Sequence, residues 1–186
     1  MTATIESPIA GAVQTWSLDA SHSNVEFAVK HLMIAKVKGR FSQVAGTLTA
    51  DLDDPSNFSL DVTVDVASID TRQEQRDAHL RSPDFFDAEK WPTMRFVGKR
   101  VEDRSGDDFR LVGDLTIRDV TREITLDVTN EGTVTDPWGN ARIGFSARGK
   151  LDRTDFGLTW NQALEAGGFV VSDEIRISVD AEFTAS

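Results

Sequence analysis

The residues whose types could do chemistry are three histidines, the serines around one of them, and a short run rich in arginine. His22 stands within Ser21-His22-Ser23. A serine nucleophile needs a base, an orienting acid and oxyanion donors that converge in space, and adjacency along the chain supplies none of these. A turn ahead of a strand explains the tripeptide. His22, His31 and His79 show no H-x-x-x-H or related ligand spacing, so no metal centre is expected. Cysteine is absent, which excludes disulfides, thiolate nucleophiles and Cys-based zinc sites. Asp53-Asp54 and Asp107-Asp108 fall in turn-forming stretches, where aspartate serves the backbone. No glycine-rich loop opens a helix, so nucleotide binding has no support. No catalytic constellation emerges, and the chain reads as a non-enzyme.

The arginine-rich run lies in Asp77–Phe96, DAHLRSPDFFDAEKWPTMRF, and just before it. Thr71 and Glu74 form a T-x-x-E capping box, which predicts a helix ended by Pro83; a second short turn over 84–90 stops before Pro92. On such a helix Arg72, Arg76 and His79 share one face, and Asp77 and Arg81 make an i,i+4 pair beside it. Only Ala78 and Leu80 are apolar. A helix this polar lies on the surface or across an opening, with Phe85, Phe86 and Trp91 as its apolar anchor.

Everything around that insert alternates with period two. Val25, Phe27 and Val29 oppose Glu26 and Lys30, and Leu60, Val62, Val64 and Val66 alternate with Asp61, Thr63 and Asp65. Leu111, Gly113, Leu115 and Ile117 form a third set, and Ile124, Leu126 and Val128 a fourth. Ile143, Phe145 and Ala147 follow, then Ile175, Ile177, Val179, Ala181 and Phe183. One polar face per strand means antiparallel sheet with one side in water. Turns at 53–57, 105–107, 136–140 and 167–168 separate about eight to ten strands. Gly39 and Gly46 inside the run Lys36–Ala50 predict a bulge or bend.

With 186 residues and neither repeat nor linker, residues 15–186 are expected to form one domain after a loose leader over 1–14. The net charge of −11 argues against nucleic acid as a partner. An anionic membrane would repel the chain on average, leaving only a local basic patch as a route to one. No signal peptide and no membrane span are visible, so a cytoplasmic location is expected. The pattern is compatible with a homodimer. The inward aromatics fit two interiors equally well: a filled core, or the wall of a cavity in a barrel of about eight strands.

Four segments carry a resemblance: WSLDASHSNVEFAVKHLMIAKVKGRF (16–41), SIDTRQEQRDAHLRSPDFFDAEKWPTMRF (68–96), GDLTIRDVTREITLDV (113–128) and RTDFGLTW (153–160). In order and spacing they resemble the YceI family of lipocalin-like, polyisoprenoid-binding proteins. The resemblance implies an all-β, eight-stranded antiparallel lipocalin-like barrel with a helical insert around 72–90. It implies a lumen that holds a long-tailed amphiphile: a polyisoprenoid, an isoprenoid quinone or a fatty-acid derivative. It brings no settled enzymatic activity and no cofactor. Many relatives are periplasmic with a secretion signal, from which this chain departs. Phe27, Val29, Val64, Phe96, Leu115, Phe145, Ile177 and Val179 are then expected to contact the tail. His31, Arg76, His79 and Arg81 are expected at the head-group end, or else in a network pinning the helix to the rim. Two other readings stand beside this one: an enzyme acting on an isoprenoid or quinone inside the lumen, and an interaction module with a filled barrel.

Overall fold

The computed structural model describes residues 12–186, so most of the expected leader lies outside the described residues. The first strand, β1 (Gln14–Leu18), begins one residue before the expected domain start. Then come β2 (Asn24–His31), β3 (Ala35–Phe41), β4 (Val44–Ala50), β5 (Phe58–Asp65), the two-residue β6 (Ile69–Asp70) and helix α1 (Glu74–Arg81). Five longer strands finish the chain: β7 (Thr93–Ser105), β8 (Asp108–Ile117), β9 (Val120–Thr135), β10 (Ala141–Asp152) and β11 (Val171–Ala185). Among the described residues no helix is long and apolar enough to cross a membrane.

Every pairing is antiparallel. The order β1-β4-β5-β7-β8-β9-β10-β11 closes on itself because β1 also pairs β11, with Trp16 opposite Ala185 and Leu18 opposite Phe183. Closure leaves this eight-strand ring without an edge. Lower down, β11 pairs β2 instead of β1, and β2 pairs β3. Each of β1/β2 and β3/β4 thus acts as one strand broken midway.

The break in the second of these corrects the expectation for Gly39 and Gly46. The bend falls at Ser42-Gln43, where Ser68 caps the gap: its carbonyl accepts from Ser42 N and its Oγ from Gln43 N. The β2–β3 register runs unbroken through Gly39. That glycine serves close approach: a Cβ there would stand 2.3 Å from the Phe27 ring. Gly113 does the same for Phe96, at 2.4 Å. Both rings lie over glycine on the wall, where no side chain competes for the space, and this keeps the middle of the barrel open.

The helix starts later than the capping box predicts. Gln73 is the N-cap, and its side chain accepts from Arg76 N. Arg72 sits outside the helix at φ 62°, so it shares no helical face with Arg76 and His79. The turn that places Arg72 there frees Thr71 for a buried contact with Asp77, whose Oδ1 accepts from Thr71 N (2.9 Å) and Thr71 Oγ1 (2.5 Å). Asp77 is therefore not the partner of Arg81. After Arg81 the chain continues as turns, not helix, to Lys90.

Candidate functional site

Inside the ring lies one continuous apolar cavity of about 380 Å³. One water needs only about 10–15 Å³ of such space, so the barrel is hollow and the filled interior is excluded. Strand alternation builds the wall: Phe27 and Val29 on β2, Val64 on β5, Phe96 on β7, Leu115 on β8, Phe145 on β10, and Ile177 and Val179 on β11 all border it. None of these eight is fully buried, because each keeps surface open to the lumen.

The two ends differ. At the α1 end the floor is made by Leu80, Phe85, Phe86, Ile117 and Leu158, and Phe85, Ile117 and Leu158 are buried. Here the polar insert does what its few apolar residues allow: Leu80 and the following Phe85-Phe86 turn face the tube. Beside the floor Arg153, 5% exposed, is the buried cation of this end. It donates to the carbonyls of Leu158 (2.7 Å), Trp160 (2.8 Å) and Ser172 (3.0 Å), and reaches Asp173 at 3.2 Å. Burial pushes its pKa down from the ordinary arginine value, with Asp173 and Asp152 opposing. Its hydrogen bonds tie the 158–173 segment under the barrel. At the other end the lining turns polar and open, with Asp51 from the β4–β5 loop, Arg104 from the end of β7, Asp107 from the β7–β8 turn, and Asn130 from β9. Arg104 and Asp107 are exposed, so this rim is the mouth.

The four residues expected at the head-group end do not border the cavity. Arg76 donates from Nε to Thr71 Oγ1 and from Nη2 to Thr71 O, both at 2.7 Å. Arg81 donates to the carbonyls of Ala67 and Ile69, each at 2.9 Å. Around 67–71 the chain has almost left the sheet, so these guanidinium groups replace missing ladder partners. His79 Nε2 meets Asp84 Oδ2 at 2.8 Å, and its ring stands edge-on to Trp160 and Phe85. His31 closes β2, opposite Ala35 and Val171. The helix is pinned through backbone carbonyls rather than through the ion pairs expected. Sequence reasoning missed the mouth residues because they sit in a loop or turn, as Asp51 and Asp107 do, or at strand stretches beyond the apolar alternation, as Arg104 on β7 and Asn130 on β9 do. It missed Arg153 because a buried arginine bonding to carbonyls leaves no periodic trace.

One group among the described residues has the composition of a cation site: ligand atoms of Asp19, His22 and Glu182 lie within 4.8 Å of one another. Arg142 already occupies its centre, donating from Nη1 to Asp19 (2.9 Å) and Glu182 (2.5 Å) and from Nε to Asp136 (2.8 Å). Nor is Ser21-His22-Asp19 a triad. Both Ser21 (3.2 Å) and Asp19 (2.9 Å) engage the same ring nitrogen, Nδ1, whereas a relay needs opposite nitrogens.

Residues 16–183 match the profile of the YceI-like domain. The chain belongs to the YceI-like family. A UPF0312 protein of Staphylococcus aureus strain MSSA476 is 37% identical over 172 residues, covering 92% of this chain and 98% of its own. The crystallised YCEI protein of Campylobacter jejuni superposes with a TM-score of 0.71 at 35% identity, over 84% of this chain and 90% of that one. A polyisoprenoid-binding domain from Saccharophagus degradans, implicated in plant cell wall breakdown, has a TM-score of 0.66, covering 93% and 99%. At 16% identity this last likeness shows a shared fold. The YceI-like barrel of this chain therefore spans nearly the whole of each relative.

Proposed function

We propose that the protein binds one long-chain amphiphile, a polyisoprenoid, isoprenoid quinone or fatty-acid derivative. Its tail fills the tube toward the α1 floor, and its polar end stands at the mouth among Asp51, Arg104, Asp107 and Asn130. The observation that carries this reading is the continuous apolar lumen with lipid-sized walls and polar residues gathered at one open end. The description of the Saccharophagus domain as polyisoprenoid-binding supports the ligand class. Enclosing each CH₂ gains about 0.8 kcal/mol, so a five-carbon prenyl unit yields roughly 3–4 kcal/mol. Four units give roughly 12–16 kcal/mol before the cost of immobilising the ligand. The tail supplies the affinity, and the mouth selects the head group. The charged residues bordering the cavity stand at its ends or, in Glu26 and Arg95, are exposed between inward-facing neighbours. This placement supports reading the bound molecule as one carried, stored or sensed.

Lipid extraction from the purified protein followed by mass spectrometry tests this directly. Prenyl or acyl species should co-purify, and the emptied protein should take up added quinone. Val179→Trp places a large ring in the lumen from a position with free space before it, and should lower uptake by at least roughly tenfold while the barrel stays folded. Recovery of no such lipid, together with no quinone uptake, overturns the proposal.

A further inference from the structure

The β2–β3 hairpin carries surface features that lipid storage in the lumen does not use. Its tip, Leu32-Met33-Ile34, is exposed at 38%, 59% and 88%. Leu32 and Met33 both adopt positive φ, 52° and 64°. Such consecutive left-handed positions favour Asn or Gly, which would build the turn without strain and without exposed apolar surface. Strain that presents two large apolar side chains to solvent points to a use for them. Beside the tip, Gly168 lies close to Met33, since a Cβ there would stand 3.4 Å from Met33 Cγ, and the following Phe169 is 55% exposed. Leu32 N donates to Val170 O at 2.9 Å, which joins the hairpin and that loop into one apolar end.

The charge just behind the tip is the reverse of the molecule's. Lys30 and Lys36 stand directly opposite each other across the hairpin, a repulsive placement, and Lys38 follows on the same outer face. None of the three forms an ion pair with a carboxylate among the described residues. Glu174 on the adjoining β11 is engaged by Lys150 and Arg176 instead. Three unpaired ammonium groups thus flank an apolar tip in a chain of net charge −11.

We propose that this hairpin docks the barrel on an anionic lipid bilayer. Leu32, Met33, Ile34 and Phe169 enter the headgroup–acyl boundary, and Lys30, Lys36 and Lys38 meet lipid phosphates. Apolar insertion and a basic cluster are the two signals that together hold a peripheral protein. The acidic remainder of the surface is repelled, so contact is confined to this end and the barrel stands upright with its polar mouth toward water. The inference rests on the hairpin surface and is independent of what the lumen holds.

Flotation of the full chain with phosphatidylcholine vesicles, with and without roughly 30% phosphatidylglycerol, tests it. Binding should require the anionic lipid and should weaken at least roughly fivefold on raising salt to about 0.5 M. Met33→Ser/Ile34→Ser should lower it at least roughly tenfold by removing the inserted surface, and Lys36→Glu/Lys38→Glu should abolish its dependence on phosphatidylglycerol. Quinone uptake in vesicle-free buffer should be unchanged in all these variants, so the lumen reading and the docking reading fail separately. Absence of flotation with anionic vesicles at low salt overturns the proposal, as does a Met33→Ser/Ile34→Ser variant that floats like the parent. A dimer in the parent that the same double substitution turns into monomer, without vesicle binding, assigns the tip to self-association and also overturns it.

Discussion

Asp19 and its neighbours show how a few polar side chains can carry the composition of a site and the energetics of a clasp. Asp19 accepts from Ser21 and Arg142 and binds His22, and Arg142 reaches on to Asp136 and Glu182. The cluster ties the segment after β1 to β10, β11 and the β9–β10 turn, near the seam where the barrel closes. The Asp19 hydrogen bond raises the His22 pKa above its ordinary 6.5, with the charges of Asp19 and Glu182 adding to it. The sign follows from linkage: a raised folded-state pKa contributes stability that is fully present below the unfolded value and is lost as pH rises through the folded one. Because His22 is largely exposed, the effect on global stability is small and is best read at the residue. NMR titration of the His22 ring should give a midpoint above 6.5 that falls back toward 6.5 in Asp19→Asn. A parent midpoint at or below that value would mean the clasp does not form in solution.

The element that matters most for the lumen is the wall strand with glycine in it. On β8, a Cβ at Gly113 would stand 2.4 Å from the Phe96 ring and 2.6 Å from the Val97 carbonyl oxygen. The ring can swing away, but only toward the barrel axis, and the backbone oxygen cannot. Gly113→Ala should therefore cost about 1–3 kcal/mol and lower quinone uptake as Phe96 moves into the tube. Gly144→Ala, which meets only Glu131 Cβ at 3.5 Å, should leave uptake unchanged; urea unfolding and uptake measured on both variants check the pair. These contacts also explain what could be read from the chain and what could not. The eight wall residues, from Phe27 to Val179, were legible because period-two alternation assigns a face without knowing any partner. Whether that face enclosed space depended on Phe27 lying over Gly39 and Phe96 over Gly113, and this is set by the register between paired strands. The helix was legible as polar and surface-bound. Its arginines misled because their partners, the carbonyls of Ala67, Ile69 and Thr71, are orphaned only when the chain leaves the sheet there. The bend at Ser42-Gln43 was hidden for a similar reason, since Ser68 caps it from a distant loop.

At the scale of the whole molecule, a closed barrel with an empty middle is stable only through its wall, its seam and its floor. Trp16 at the β1–β11 seam is fully buried and packs with Leu48, Ile143 and Phe183, while Phe41, Phe85, Phe156 and Leu158 form the buried cluster at the floor. Between them the side chains bordering the lumen are only partly buried, so that part of the apolar surface remains to be covered by a guest. A ligand that binds only the closed barrel then acts as a missing piece of core. At a free concentration of 100 times Kd it adds about 2.7 kcal/mol, which for a chain of this size corresponds to a rise in Tm of roughly 5–11 °C. Thermal unfolding of delipidated protein with added quinone should show that rise, growing with ligand concentration. Val179→Trp should show almost none, because its ring occupies the same space. Its own Tm without ligand should equal or exceed the parent's, since the indole covers wall that water otherwise meets. If Val179→Trp gained the same Tm increment from quinone as the parent, the ligand would be stabilising some surface other than the tube.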